Sequence, residues 1–332
     1  MKRVVPALTV VAALLLAGCG EPVAHVVVAV RDEDGSAVTN VEVGVGTFVR
    51  RIPGPEAGFA ETAQVEARTD TNGFARLTIP SRRGDLYLHM RPTEGFYYDR
   101  GIELRMTNAV GGRWEPWGQT NVLVVRRIVN PIPMYAKTFL GSDLMVPENG
   151  KPVGFDLMEG DWVAPYGSGT VADFVFDLRW ASHGRNESRH LMYEAKMDLS
   201  FSNEGDGLVE VRIPSFAPPR GSVYKMPRMA PQSNYVSGLS WRQSRSDKGR
   251  SPDPPSDMNY FFCVRSRRNP DGSHASSLYG KIHGPLQISV RPSKTTLELE
   301  YYLNPTPNDR NTEFAVGKNL MQPPPSISIG DP

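Results

Sequence analysis

Four carboxylates, Glu159, Asp161, Asp173 and Asp177, stand in one stretch of sequence beside Trp162 and Trp180. Glycoside hydrolysis needs two carboxylates roughly 5–10 Å apart across a sugar. Asp173 and Asp177 would share one face of a regular strand, which allows such a pair. Polar residues on the wet face of a half-buried sheet would give the same pattern. A second cluster is denser. The strand-like Tyr301-Tyr302-Leu303 runs into Asn304-Pro305-Thr306-Pro307-Asn308-Asp309-Arg310-Asn311. Asn304, Asn308, Asp309, Arg310 and Asn311 are the candidate recognition loop for a ligand or partner, or Arg310 pairs with a carboxylate across the domain. The competing reading is a structural turn whose prolines set its path and whose asparagines cap the backbone.

Other chemistry is thinly represented. None of the six histidines stands in H-E-x-x-H or another zinc spacing, so no metal and no cofactor is expected. Asp32/Asp34/Gly35 and Asp70/Asn72/Gly73 look like calcium loops, yet such a loop needs a liganding Glu at its end. Both run directly into apolar strands, and turn chemistry explains them better. No G-x-S-x-G elbow, P-loop or dinucleotide fingerprint is present, and no catalytic residue is assigned. Cys263, within Tyr260-Phe261-Phe262-Cys263-Val264, reads as a small buried hydrophobe. Tyr97-Tyr98, Trp114 and Trp117 could stack on sugars, although aromatics at alternating strand positions usually build cores.

The N-terminus carries an export signal. Lys2 and Arg3 precede an apolar stretch from Leu8 to Leu16, and Leu16-Ala17-Gly18-Cys19 follows. The stretch is too short to span a bilayer, which needs about 20 residues. Leu16 to Cys19 resembles the lipobox of bacterial lipoproteins. The resemblance implies diacylglycerol on the Cys19 thiol, cleavage before it and N-acylation of the new terminus. Residues 1–18 are then a signal peptide, and the membrane is a partner through the N-terminal lipid. Several acyl chains on one residue satisfy the two-signal rule for stable anchoring. Gly20 rather than aspartate follows Cys19, which by the same resemblance allows the outer membrane, facing the periplasm or the cell surface. Acylation leaves Cys263 without a partner, so no disulfide is expected despite an export route that would allow one.

Glycine (31) and proline (29) are abundant and favour strands and turns. The 37 basic residues against 36 acidic ones argue against a nucleic-acid partner. Val41, Val43 and Val45 alternate with polar or small residues, and Ile102 to Met106 alternate likewise. Val30, Asp32, Gly35, Val41, Val43 and Val45, then Thr69, Asp70, Gly73 and Leu77, resemble the carboxypeptidase regulatory-like and bacterial Ig-like domains. The resemblance implies a prealbumin-like β-sandwich over residues 22–129. Pro131, Pro133, Pro147 and Pro152 suggest a linker at 130–152. A larger β-rich domain is expected over 153–316. It includes one hairpin from 191–201 and 208–213, another about the turn 269–272, and an irregular stretch at 214–257. Residues 317–332 read as a disordered tail. The expected class is all-β, an Ig- or prealbumin-like sandwich followed by a second, larger β-rich domain. The expected function is a non-enzymatic, lipid-anchored cell-envelope protein that binds or scaffolds an envelope protein or glycan. The alternative is a carbohydrate-active enzyme with a carboxylate site in residues 153–316.

Overall fold

A computed structural model describes residues 21–51, 60–91, 93–97, 102–213, 222–252, 255, 257–292, 294–322 and 329. Cys19, Tyr98 and most of the tail lie outside them. The chain is all-β, with no helix among the described residues. It divides into two compact units, residues 1–94 with 98–125, and residues 95–97 with 126–332.

The first unit holds β1 (Val23–Asp32), β2 (Glu42–Arg51), β3 (Ala60–Arg68), β4 (Phe74–Pro80) and β5 (Asp85–Met90). β6 (Phe96–Tyr97) belongs to the second unit. β7 (Ile102–Arg105), β8 (Asn108–Val110), β9 (Arg113–Glu115) and β10 (Gln119–Arg127) follow, the last ending in the second unit. One sheet has β1 at its centre, parallel to β10 and antiparallel to β4. The other runs β3-β2-β5-β7. Ala24, Val26, Val28 and Val30 of β1 are buried, as are Val43 and Val45 of β2 and Leu86 and Leu88 of β5. This period-2 burial gives each sheet one apolar face, the pattern of a β-sandwich. The two Asp-Gly turns are held by their own side chains. Asp32 accepts from the N–H groups of Asp34 and Ser36, and Asp70 from those of Asn72 and Phe74. Gly35 and Gly73 supply the positive φ that these turns require.

The second unit begins with β11 (Ile132–Met145), β12 (Pro152–Asp156), β13 (Asp161–Trp162), β14 (Phe174–Arg185), β15 (Leu191–Ser200) and β16 (Gly207–Arg212). It continues with β17 (Gly238–Ser246), β18 (Gly249–Ser251), β19 (Met258–Arg268), β20 (His274–Ile282), β21 (Gln287–Val290), β22 (Thr295–Leu303) and β23 (Phe314–Asn319). One sheet runs β16-β19-β20-β22-β11-β23, with β21 also on β22; the other runs β13-β12-β14-β15-β17-β18. Their apolar faces share one aromatic core. Phe155 meets Phe139, Trp162 and Tyr301 edge to face, and Phe174 meets Phe176, Phe201 and Phe262. Such pairs add to the burial of large apolar surfaces.

Four expectations are corrected. Residues 130–152 are not a linker: β11 occupies most of them, pairs with β22 and β23, and buries Met134, Ala136 and Phe139. Pro133 is accommodated near the strand's start, where its register with β23 shifts between Ile132 and Met134. Of residues 317–332, the described ones are not a disordered tail. The Asn319 side chain bonds both the N–H and the carbonyl of Ala136, and Met321 and Ile329 are buried. β15 and β16 do not form a hairpin but lie in opposite sheets. Within 214–257, β17 is a regular strand that pairs with β15 from Gly238 to Arg245.

Candidate functional site

The loop Asn304–Asn311 turns its polar groups inward. Asn304 is fully buried. Its amide nitrogen donates to the carbonyls of Asp309 and Asn311 and to the Asp309 carboxylate, and its oxygen accepts from the Thr306 N–H. Asn308, at φ 62°, accepts from the Ser277 N–H and donates to the Ala275 carbonyl. Asp309 accepts from the Asn311 N–H, and Asn311 donates to the Asn130 carbonyl. Arg310, for which a carboxylate partner was one of the alternatives, donates to the Ala230 carbonyl at 2.7 Å. A loop whose groups are already satisfied has little left to offer a ligand.

The carboxylates near Trp162 do not converge as an acid–base pair. Asp173 is fully buried and lies just before β14. Arg265 reaches it through Nε and Nη2 at 2.8 and 2.9 Å, and Nη2 also reaches Asp156 at 2.8 Å. Arg265 sits at φ 55° where the register of β19 with β20 shifts; this bulge re-aims the side chain toward both aspartates. Burial pushes the Asp173 carboxyl up despite Arg265. Burial acts the same way on Asp156, but N–H donation from Thr170, Val171 and Met158, with Arg265, holds it below the ordinary aspartate value. Asp161 accepts from Ser168 and the Trp162 N–H, fixing the turn after β13. Asp177 pairs with Arg179 on the outer face of β14, and Glu159 is exposed.

The remaining expected groups are used separately. Burial pushes the Cys263 thiol up to about 12, so it is an inert thiol at neutral pH. Tyr97 and Trp114 are buried, their polar tips donating to Glu313 and to the Ser81 carbonyl. Trp117 is 40% exposed, but its ring stacks on His25 and lies under the Arg113 guanidinium.

An open groove of about 1030 Å³ lies on the sheet of β14, β15 and β17. Burial alternates along these strands. Phe176 and Leu178 face the core between Asp177 and Arg179, and Ala195 and Met197 face it beside Glu194, Lys196 and Asp198. Arg179 is in register with Lys196, and Lys196 with Arg242. Three cations therefore lie in one row across three adjacent strands, spaced by roughly 4.8 Å per strand. Like charges directly opposite one another destabilise a sheet. The next row offsets part of this cost: Asp177, opposite Asp198, lies 2.6 Å from Arg179, and Asp198 bonds Lys196. Arg242 has no carboxylate partner among the described residues, and neither does Glu194 have a cation. The rim is fixed. Asn149 donates to and accepts from the backbone of Trp180, extending the sheet beyond β12, and Ser251 and Pro252 close the other side. The groove presents a basic row, with single acidic groups beside it, to an extended polar ligand.

Sequence reasoning missed these three cations because nothing local joins them. The available signal was the alternation of Leu239 and Trp241 with Ser240 and Arg242.

No family model matches the chain, and no curated protein matches it. Among solved structures it is similar to the shaft pilin spaA from Lactobacillus rhamnosus GG. The identity is 12% and the TM-score 0.24, covering 77% of this chain and 92% of that one. It is also similar to BcpA, the major pilin subunit of Bacillus cereus, at 10% identity and a TM-score of 0.22, covering 88% of this chain and 99% of that one.

Proposed function

We propose that this chain is a lipid-anchored protein of the bacterial cell envelope that binds or scaffolds a partner through the groove on β14, β15 and β17. The observation that carries the binding role is the in-register row Arg179, Lys196 and Arg242. Sequences retain local violations of a stability rule mainly where function needs them, and this row is exposed, clustered and only partly neutralised. The partner class that it suits is an envelope protein or glycan bearing acidic groups. Support for the anchor is the export signal and the Leu16 to Cys19 motif, and the outer membrane is the destination that Gly20 allows. The first unit serves as the Ig- or prealbumin-like module next to the anchor.

The carbohydrate-active alternative loses its basis in the carboxylates. Asp173 is locked by Arg265, Asp161 by a turn and Asp177 by Arg179.

The binding role is tested by recovering the tagged full-length chain from detergent-solubilised membranes and identifying co-purifying material. Wild type should bring down a discrete partner that R179E/R242E loses. Equal recovery by both would overturn the assignment to the groove. For the anchor, Cys19→Ala should abolish acylation and leave the precursor uncleaved by the lipoprotein peptidase; unchanged processing would refute it.

A further inference from the structure

β1 starts only a few residues after Cys19, so its first residues mark the end of the first unit nearest the tether. Three residues lie between Cys19 and Val23, and the four residue steps reach at most about 14 Å. The Pro22 carbonyl accepts from the Ser81 N–H, and the Val23 N–H donates to the Gly112 carbonyl, both at 2.9 Å. Two turns therefore flank the start of β1: Ser81-Arg82-Arg83-Gly84 and Val110-Gly111-Gly112-Arg113.

The first turn is rigidly presented. Ser81 is fully buried. Its carbonyl accepts from Trp114 Nε1, and its hydroxyl bonds Thr47 and accepts from the Gly84 N–H. Gly84, at φ +72°, leaves no room for a Cβ, which would fall 2.4 Å from the Met106 carbonyl oxygen and 3.0 Å from the Trp114 ring. Arg82 and Arg83 between these fixed points are exposed and without a carboxylate partner among the described residues. Arg113 pairs in register with Val23. Arg105, opposite Asp85, adds a fourth guanidinium beside the first turn. Val110, 58% exposed, tips the second. Acidic residues at this end include Glu21, Glu115, Glu61, which pairs in register with Arg50, and Asp85, the last 3.6 Å from Arg105 and exposed.

We infer that this end of the first unit is a membrane-docking surface, in which Arg82, Arg83, Arg105 and Arg113 engage anionic phospholipid headgroups and Val110 touches the interface. The inference rests on the proposed acylation of Cys19, which holds the four arginines close enough to feel a charged surface screened over about 8 Å. Basic residues beside an anchor add to membrane attraction and fail in high salt. The surface then fixes how the first unit stands on the bilayer, where the acyl chains alone would leave it free to swivel.

The acylated chain is reconstituted into phosphatidylcholine vesicles with or without phosphatidylglycerol, and a polarity-sensitive dye on V110C reports contact. Cys263 is buried, so labelling is confined to the new thiol. The dye should shift to the blue only with phosphatidylglycerol, and the shift should vanish in high salt and in R82Q/R83Q/R105Q/R113Q. R68Q/R91Q, at the other end of the same unit, should keep it. Identical emission in both vesicle types, or loss in R68Q/R91Q as well, overturns the inference. The two readings fail separately. If mass spectrometry finds no acyl chain on Cys19, the anchor reading falls. The docking surface is then judged by co-sedimentation of that same unacylated chain, expected to be about tenfold greater on phosphatidylglycerol vesicles; equal sedimentation overturns it.

Discussion

The loop Asn304–Asn311 and the outer face of β14, β15 and β17 are the two most polar regions of the second unit, and they treat polarity in opposite ways. In the loop the side chains of Asn304, Asn308, Asp309, Arg310 and Asn311 are turned back onto backbone or onto a neighbour, and Asn304 alone holds two carbonyls and a carboxylate. On the sheet face, three cations stand in register and Arg242 is left open to solvent. Density of hydrogen-bonding residues in the sequence therefore measures structural need as readily as recognition. The sign of function is polarity that the fold does not consume.

Asn304→Ala should show the largest effect. It strips the carbonyls of Asp309 and Asn311 of a buried donor, which costs about 2–4 kcal/mol. The urea midpoint should fall at an unchanged slope, and a neutral result would mean that the loop is not structural. Arg242→Glu should do the reverse. We expect folding stability within about 0.5 kcal/mol of wild type and about a tenfold loss in partner recovery from membranes, as for a desolvated charge contact. A large drop in stability with intact recovery would erase the contrast between the two regions. Lys196→Thr removes the central cation and puts a β-branched residue on the strand. With the repulsion in the row larger than the half-exposed pair with Asp198, it should stabilise the fold by roughly 0.2–1 kcal/mol, read from the same urea curves; destabilisation would show that the pair with Asp198 outweighs the repulsion in the row.

The smallest effect concerns pH. Hydrogen bonding by Lys196 holds the Asp198 carboxyl below the ordinary aspartate value. The folded form then binds its proton later than the unfolded chain. The ion pair's stabilisation is complete above about pH 4 and is lost as pH falls through the folded value. Carboxyl NMR should find Asp198 titrating low in wild type and returning toward the ordinary range in Lys196→Thr. The same titration in both would show that Lys196 is not the cause.

Local chemistry was legible. The turns at Asp32–Gly35 and Asp70–Gly73 follow from a side chain bonding its own backbone, and the hairpin of β19 and β20 from two apolar runs around Asn269 to Gly272. Segments whose partners lie far away were not. β11 looked like a linker because its prolines are visible, whereas its pairing strands β22 and β23 begin at Thr295 and Phe314. β17 looked irregular because its outer face carries the serines and arginines that line the groove, while on the other face only Leu239 and Trp241 are apolar and the buried Gln243 is polar.

The sequence by itself determined the all-β class and the turns, because alternation and Asx or Gly turn chemistry act within a few residues. It also carries the motif around Cys19, on which the anchor proposal rests. Only the tertiary structure decided which polar residues are spent and which are free. Arg265, Asp156 and Asp173 are drawn together from strands about a hundred residues apart in the chain, and Arg179, Lys196 and Arg242 are aligned by strand register. A one-residue slip in register would send every side chain of a strand to the opposite face. That register is set by the burial of Phe176, Met197 and their neighbours against the second sheet, not by the charged residues themselves.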